Sequence, residues 1–296
     1  MKRITLLLIG ACLAFNINAQ KPIAKHVVLI GLDGFGAYAL PEAEMPVLKK
    51  LMKEGAWSLK VRTVLPSSSA VNWASIIMGA GPTMHGYTEW NSVNPEIPSA
   101  SVNSGGMFPS IFSLLKEQKP GAKSAVIFSW GGIDPLVQKE TADIRINARD
   151  NDSFCVDTAT AIIKNQKPVF TFIHLDQPDG VGHNIGHRTK EYYKELINVD
   201  ARIGKIVKAV NEAGIANETI IIITSDHGGI NKGHGGKSVD EVNVPWIAFG
   251  KGIAKNHELK STMVTFDTAA TIAWILGLKT PDSWRGIAIK EILYRK

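Results

Sequence analysis

The chain has 296 residues, 45% of them hydrophobic, a composition that excludes an intrinsically disordered or fibrous protein. Its 33 basic and 27 acidic residues give a formal net charge of +6 without any long basic run, so no nucleic-acid-binding surface is indicated. The length fits one large α/β domain or two small ones.

Residues 1–19 have the pattern of a secretory signal peptide. Two basic residues precede an apolar stretch at 4–15, which is shorter than the roughly 20 residues that a membrane span needs. Small residues before and at Ala19 form a cleavage site, so we expect a secreted or periplasmic mature chain without a transmembrane span. The alternative is a lipoprotein anchor through Cys12.

After cleavage Cys155 is the remaining cysteine, so no intrachain disulfide can form.

Strand and helix patterns alternate along the rest of the chain. Apolar strands are predicted at 26–32, 57–64, 125–128, 169–175, 219–224 and 244–249. Helices are predicted at 41–54, 70–78, 111–117, 154–164, 189–213 and 267–276. Strands that are apolar on both faces and separated by helices are typical of a mostly parallel sheet with helices on each side. The predicted fold class is therefore α/β, a three-layer α/β/α sandwich, with residues 22–296 forming one domain.

Residues 82–108 form the longest irregular stretch. They are rich in Gly, Pro, Ser and Asn and show no hydrophobic period. Loops of this length in compact domains are usually functional or mobile. Whether this loop forms a lid is left open by the sequence.

Three carboxylates and three imidazoles follow the predicted strands at their carboxyl ends, where open α/β sheets place their chemistry. They are Asp33 after the first strand, Asp179 and His183 after the fourth, and Asp226, His227 and His234 after the fifth. Acids at one edge of a sheet repel each other unless cations lie among them. Oxygen and imidazole ligands without cysteine suit zinc best, with manganese possible. The sequence therefore predicts two divalent metal ions, and this ligand chemistry favours Zn²⁺.

Ser69 is the predicted nucleophile. It lies near the start of a predicted helix, whose N-terminus favours a phosphate, and a metal ion can deprotonate its hydroxyl. Asn72 follows one helical turn later, and its amide is predicted to hold a non-bridging phosphate oxygen. Taken alone, the segment at 66–69 is better explained as a plain helix N-cap.

These segments together resemble the alkaline phosphatase superfamily, most nearly its nucleotide pyrophosphatase/phosphodiesterase-like branch. The matching segments are 28–34, 66–79, 82–86, 179–183 and 225–228. The resemblance implies an alkaline phosphatase-like catalytic domain that hydrolyses a phosphodiester or pyrophosphate bond of a small phosphorylated substrate through a covalent Ser69 intermediate. It also implies two ligand sets, namely Asp33, Ser69, Asp226 and His227 for the nucleophile-side zinc, and Asp179, His183 and His234 for the leaving-group-side zinc.

The sequence departs from the usual pattern of that branch at two places. Ala70 follows the nucleophile where many relatives carry an aromatic residue that stacks a nucleobase, and His234 lies only seven residues after His227. A phosphomonoesterase or a sulfatase-like esterase of the same superfamily is one alternative. A catalytically silent protein that binds phosphorylated glycan or lipid head groups is another.

Several further side chains are weighed for a role at the site. His174 lies inside an apolar strand and is predicted to be a core histidine, and His85 is predicted to be structural. His187 is predicted to lie behind the metal ligands or at the surface. Candidates for lining a substrate pocket are Trp73, Trp90 and Asn91.

Overall fold

An eight-stranded sheet forms the centre of the molecule in a computed structural model that describes residues 21–293. The strands are β1 His26–Leu32, β2 Gly55–Arg62, β3 Ser124–Phe128, β4 Ile144–Asn147, β5 Phe170–Leu175, β6 Thr219–Ser225, β7 Asn243–Gly250 and β8 His257–Glu258. Their spatial order is β4-β3-β5-β1-β6-β7-β2-β8. The strands from β4 to β6 run parallel, whereas β7 is antiparallel to both of its neighbours. The predicted signal peptide at 1–19 lies outside the described residues.

Helices cover both faces of this sheet. They are α1 Pro46–Lys53, α2 Ser69–Met78, α3 Pro82–His85, α4 Ile111–Gln118, α5 Asp152–Gln166, α6 Asp179–Asn184, α7 Lys190–Glu212, α8 Val239–Val242 and α9 Asp267–Leu276. Alternate residues of β1 point into two separate cores, because side chains alternate across a strand. Val27 and Leu29 pack in the core with α2, α4 and α9, while Val28 and Ile30 pack in the core with α1, α5 and α7. The predicted three-layer α/β/α architecture is confirmed.

The elements missed by the sequence analysis are short. β4 has four residues and only intermediate or exposed side chains, and β8 has two residues, so neither shows an apolar run. The helix predicted at 41–54 begins only at Pro46, which occupies its first turn. Proline is favoured there because the first helical N–H needs no intrahelical partner.

The register of the parallel strands determines where the site lies. Leu32 pairs with Leu175 of β5 on one side and with Ser225 of β6 on the other. The residues that follow these three strands therefore leave the sheet at the same level of its carboxyl edge. Asp33 and Asp226 are two of them, so strand pairing alone brings their carboxylates together.

Candidate metal centre and nucleophile

Three side chains meet at the ends of β1 and β6, namely Asp33, Asp226 and His227. They are here called the buried half of the centre. One ligand atom of each lies within 4.8 Å of the others. His227 Nε2 is 3.2 Å from Asp226 Oδ2 and 3.5 Å from Asp33 Oδ1. All three side chains are buried, and neither of these carboxylate oxygens has a hydrogen-bond partner among residues 21–293. Unpartnered buried carboxylate oxygens are costly, so this arrangement fits a bound cation.

The second carboxylate oxygen of Asp33 and that of Asp226 each accept hydrogen bonds. Asp33 Oδ2 accepts hydrogen bonds from His174 Nε2 at 2.9 Å and from Trp73 Nε1 at 3.1 Å. Asp226 Oδ1 accepts from the Gly34 N–H at 3.2 Å. Each carboxylate is therefore held by one oxygen while the other faces His227.

A second group of side chains, here called the open half, consists of Asp179, His183 and His234. Asp179 and His183 lie on α6, and His234 lies on the loop after β6. His183 Nε2 is 3.0 Å from both Asp179 Oδ2 and His234 Nε2. The His183 side chain is 48% exposed, in contrast to the fully buried His227. The two halves share a backbone hydrogen bond, because the Asp179 N–H donates to the Asp33 carbonyl at 3.1 Å.

His227 lies between the two halves. Its ring stacks on that of His234 with centroids 3.7 Å apart. Ligand atoms of Asp179, His227 and His234 also lie within 4.8 Å of one another, so His227 belongs by distance to both groups. The structure thus brings all six predicted metal ligands into one continuous cluster.

Backbone carbonyls fix the orientation of all three imidazoles. The Nδ1 atoms of His183, His227 and His234 lie 3.0, 2.8 and 3.1 Å from the carbonyls of Lys232, Gly228 and Ser67, respectively. Because a carbonyl only accepts, each Nδ1 carries a proton. Nε2 is then the nitrogen that remains for a metal ion or a second proton, as is typical of metal-ligating histidine.

The pKa values of three groups in this cluster are strongly shifted from their usual range. Burial raises the pKa of Asp226 well above its usual range, and the carboxylates of Asp33 and Asp179 raise it further. Burial lowers the pKa of His227 to about 4. The hydrogen bond to Asp179 raises the pKa of His183 to about 9, so without metal this exposed imidazole carries a second proton at neutral pH. A divalent cation would displace these protons and leave the cluster ionised.

Ser69, the predicted nucleophile, begins α2 and lies against the buried half. Its Oγ is 3.2 Å from His227 Nε2. The N–H of the next residue, Ala70, donates to the carbonyl of Trp90 at 3.1 Å. The irregular loop at 82–108 therefore contacts the start of the nucleophile helix, and Trp90 itself is 57% exposed there.

Asn72 lies on α2, one turn after Ser69, and is fully buried. Its Oδ1 accepts from the Val64 N–H at 2.8 Å, and its Nδ2 lies 3.2 Å from the carbonyls of Val64, Pro66 and Ser68. Both ends of the amide are thus used by the backbone around Ser69, so Asn72 shapes the nucleophile loop. That the amide also holds a phosphate oxygen stays a prediction.

Two side chains outside the predicted ligand set contact the site. Trp73, one of the candidates for lining a substrate pocket, is fully buried and donates to Asp33. His174 is buried as predicted, yet its Nε2 also donates to Asp33. The available signal was an imidazole inside an otherwise apolar strand. His85 contacts the Ser75 hydroxyl at 2.9 Å, in agreement with a structural role.

Known proteins resemble this chain in sequence over most of its length. A family model described as type I phosphodiesterase / nucleotide pyrophosphatase matches residues 27–234. Bis(5'-adenosyl)-triphosphatase of Homo sapiens is 25% identical over 239 residues, which cover 77% of this chain and 53% of that protein. Ectonucleotide pyrophosphatase/phosphodiesterase family member 1 of Homo sapiens is 29% identical over 217 residues, covering 68% of this chain and 23% of that protein. The chain thus spans about half the length of the first relative.

Solved structures share the fold. Murine ectonucleotide pyrophosphatase / phosphodiesterase 5, in an inactive form in complex with AMP, superposes with a TM-score of 0.77 at 15% identity, over 91% of this chain and 100% of that chain. A 2-O GAG sulfatase superposes with a TM-score of 0.71 at 16% identity, over 91% of this chain and 74% of that chain. At these identities the likeness concerns the three-layer α/β architecture.

Proposed function

Because the chain belongs to the type I phosphodiesterase / nucleotide pyrophosphatase family, we propose that it is a two-metal phosphohydrolase that cleaves a phosphodiester or pyrophosphate bond. The observation that carries this proposal is the convergence of three imidazole Nε2 atoms and three carboxylates beside the hydroxyl of Ser69. Buried carboxylate oxygens without hydrogen bonds support cations as the missing partners.

Each half of the centre would hold one divalent ion. The proposed ligands are Asp33, Asp226, His227 and Ser69 for the buried half, and Asp179, His183 and His234 for the open half. Zn²⁺ suits this set of imidazole and carboxylate donors, and Mn²⁺ is the alternative. When bound, such ions would neutralise the carboxylates, lower the pKa of the serine hydroxyl and stabilise negative charge on the phosphate.

The covalent step is assigned to Ser69. Its Oγ would attack phosphorus, forming the Oγ–P bond while the bond from phosphorus to the leaving oxygen breaks. Water would then cleave the Oγ–P bond and restore the hydroxyl. The position of Ser69 at the start of the ten-residue helix α2 favours this chemistry, since the partial positive charge of a helix N-terminus attracts a phosphate.

The substrate is proposed to be a small phosphorylated molecule. Ala70 is fully buried against the backbone of Trp90, so the residue next to the nucleophile offers no aromatic face to a nucleobase. The exposed Trp90 is the aromatic side chain that the 82–108 loop presents near the start of α2.

We further propose a secreted or periplasmic location. No helix in the described part of the chain is both long and apolar enough to cross a membrane.

The proposal is tested by comparing the zinc-loaded wild-type protein with Ser69→Ala on an aryl phosphodiester, an aryl phosphomonoester and an aryl sulfate. We expect kcat/KM to be highest for the diester and to fall by roughly 10³-fold or more in Ser69→Ala, because the nucleophile is lost. Preference for the monoester or the sulfate would replace the proposed substrate class. Full zinc occupancy without hydrolysis would favour the silent binder.

A further inference from the structure

We propose that His174 and Trp73 are positioning residues that hold Asp33 with one oxygen aimed at the metal position of the buried half. This inference rests on the proposed metal centre but concerns side chains that are not among its ligands. Both rings are fully buried, so neither is available to contact substrate.

The two oxygens of Asp33 have opposite environments. Oδ2 accepts hydrogen bonds from His174 Nε2 at 2.9 Å and from Trp73 Nε1 at 3.1 Å. Oδ1 has no hydrogen-bond partner anywhere in the described chain and lies 3.5 Å from His227 Nε2. Two donors on one oxygen fix the rotation of the carboxylate about its Cβ–Cγ bond. Asp33 is therefore prepared to bind an ion through Oδ1 alone.

Strand β1 leaves room for the indole of Trp73 because it carries a glycine, Gly31, at the point of contact. A Cβ on Gly31 would lie 2.4 Å from Cη2 of Trp73, so the ring crosses β1 where a side chain is absent. Gly31 is paired in register with His174 of β5. The two rings meet edge to face with centroids 5.0 Å apart, so each limits the movement of the other.

Proton positions follow from the donor inventory. An indole N–H can only donate, and an ionised carboxylate can only accept, so the proton between His174 and Asp33 resides on Nε2. His174 Nδ1 is buried and has no hydrogen-bond partner within residues 21–293, so Nε2 is the ring nitrogen through which this imidazole contacts the site. In common metal sites a carboxylate orients a ligating histidine. Here a histidine orients a ligating carboxylate.

Within the described residues 21–293, the open half has no equivalent clamp. His187 is the buried histidine behind Asp179, but its Nε2 is 3.7 Å from Asp179 Oδ1, beyond hydrogen-bond length. It contacts the Tyr38 hydroxyl through Nδ1 at 3.3 Å. Removing the donors to Asp33 should therefore affect one of the two ions selectively.

The experiment measures zinc affinity by competition with a chelator in the full-length protein, with the melting temperature of the metal-free form recorded in parallel. We expect His174→Phe and Trp73→Phe each to weaken the binding of one zinc ion by roughly 10- to 100-fold, the usual cost of losing an outer-shell partner. His174→Gln should restore most of the affinity, since its amide N–H can replace the Nε2 donor.

His85→Phe is the matched control, because His85 is equally buried and contacts Ser75 rather than the site. It should lower the melting temperature without weakening zinc binding. The inference is overturned if both Phe variants bind two zinc ions as tightly as wild type, or if His174→Gln is as weak as His174→Phe. A wild-type protein that binds no zinc would overturn the proposed metal centre itself.

Discussion

The two halves of the candidate centre are built from similar ligands but on different supports. In the buried half, Asp33 and Asp226 follow adjacent parallel strands that are in register, and their side chains are almost completely shielded from solvent. In the open half, Asp179 begins a six-residue helix and His183 is half exposed. One ion would therefore be held by the sheet itself and the other by elements that water can reach.

The largest expected effect comes from breaking the buried half. Asp226→Asn removes a buried anionic ligand while the amide oxygen can still accept from the Gly34 N–H. We expect one zinc ion to be lost and kcat/KM for an aryl diester to fall by more than the roughly 100-fold typical of outer-shell changes. Burial raises the pKa of Asp226 well above its usual range, which favours the uncharged carboxyl in the metal-free protein, and the amide of the variant is uncharged as well.

The melting temperature of metal-free Asp226→Asn should therefore stay close to that of metal-free wild type. Zinc should stabilise wild type much more than the variant, by about 2.7 kcal/mol for a ligand present at 100 times its Kd. Equal stabilisation of the two proteins by zinc would contradict the assignment of Asp226 as a ligand.

A smaller effect is expected from the open half. When a chelator is mixed with the zinc-loaded wild type, the metal should leave in two kinetic phases, the faster one from the half that contains the exposed His183. His183→Gln should remove the fast phase and leave the slow phase unchanged. Stopped-flow measurement with a zinc indicator gives both rates, and a single phase in wild type would show that the halves do not differ in exchange.

The smallest expected effect is a change in proton release. The hydrogen bond to Asp179 raises the pKa of His183 to about 9 in the metal-free protein, so below that pH the imidazole must lose a proton before Nε2 can bind metal. The affinity of the open half should therefore rise with pH up to about 9 and then level off. At pH 7.5, His183→Gln should release about one proton fewer on zinc loading, as measured by calorimetry in two buffers of different ionisation enthalpy.

Much of the fold was predictable from sequence because its buried strands are continuous apolar runs. The run at 219–224 and the strand at 26–32 were placed within one residue of their observed bounds. Parallel pairing of such strands then requires the following residues to share one edge, which is why the six side chains predicted as metal ligands lie together. The short edge strands β4 and β8 were missed because they bury too little apolar surface to show a pattern.

The parts of the site that sequence could not specify depend on where a side chain points from a correctly predicted helix. Asn72 and Trp73 both follow Ser69 on α2, and sequence spacing offered the first as a phosphate-binding amide and the second as one candidate for a pocket wall. It could not show that backbone groups at 64–68 bind the Asn72 amide. The absence of a side chain at Gly31 admits the indole of Trp73, and this contact is visible only once strand and helix are packed.

The hydrogen bond from the Asp179 N–H to the Asp33 carbonyl links the two halves through the main chain. The distance between the buried half and the open half is therefore set by how β5 lies beside β1. If each half holds one ion, the spacing of the two ions would follow this packing. A substitution between these strands that shifts β5 against β1 should then alter turnover without removing any of the proposed ligand side chains.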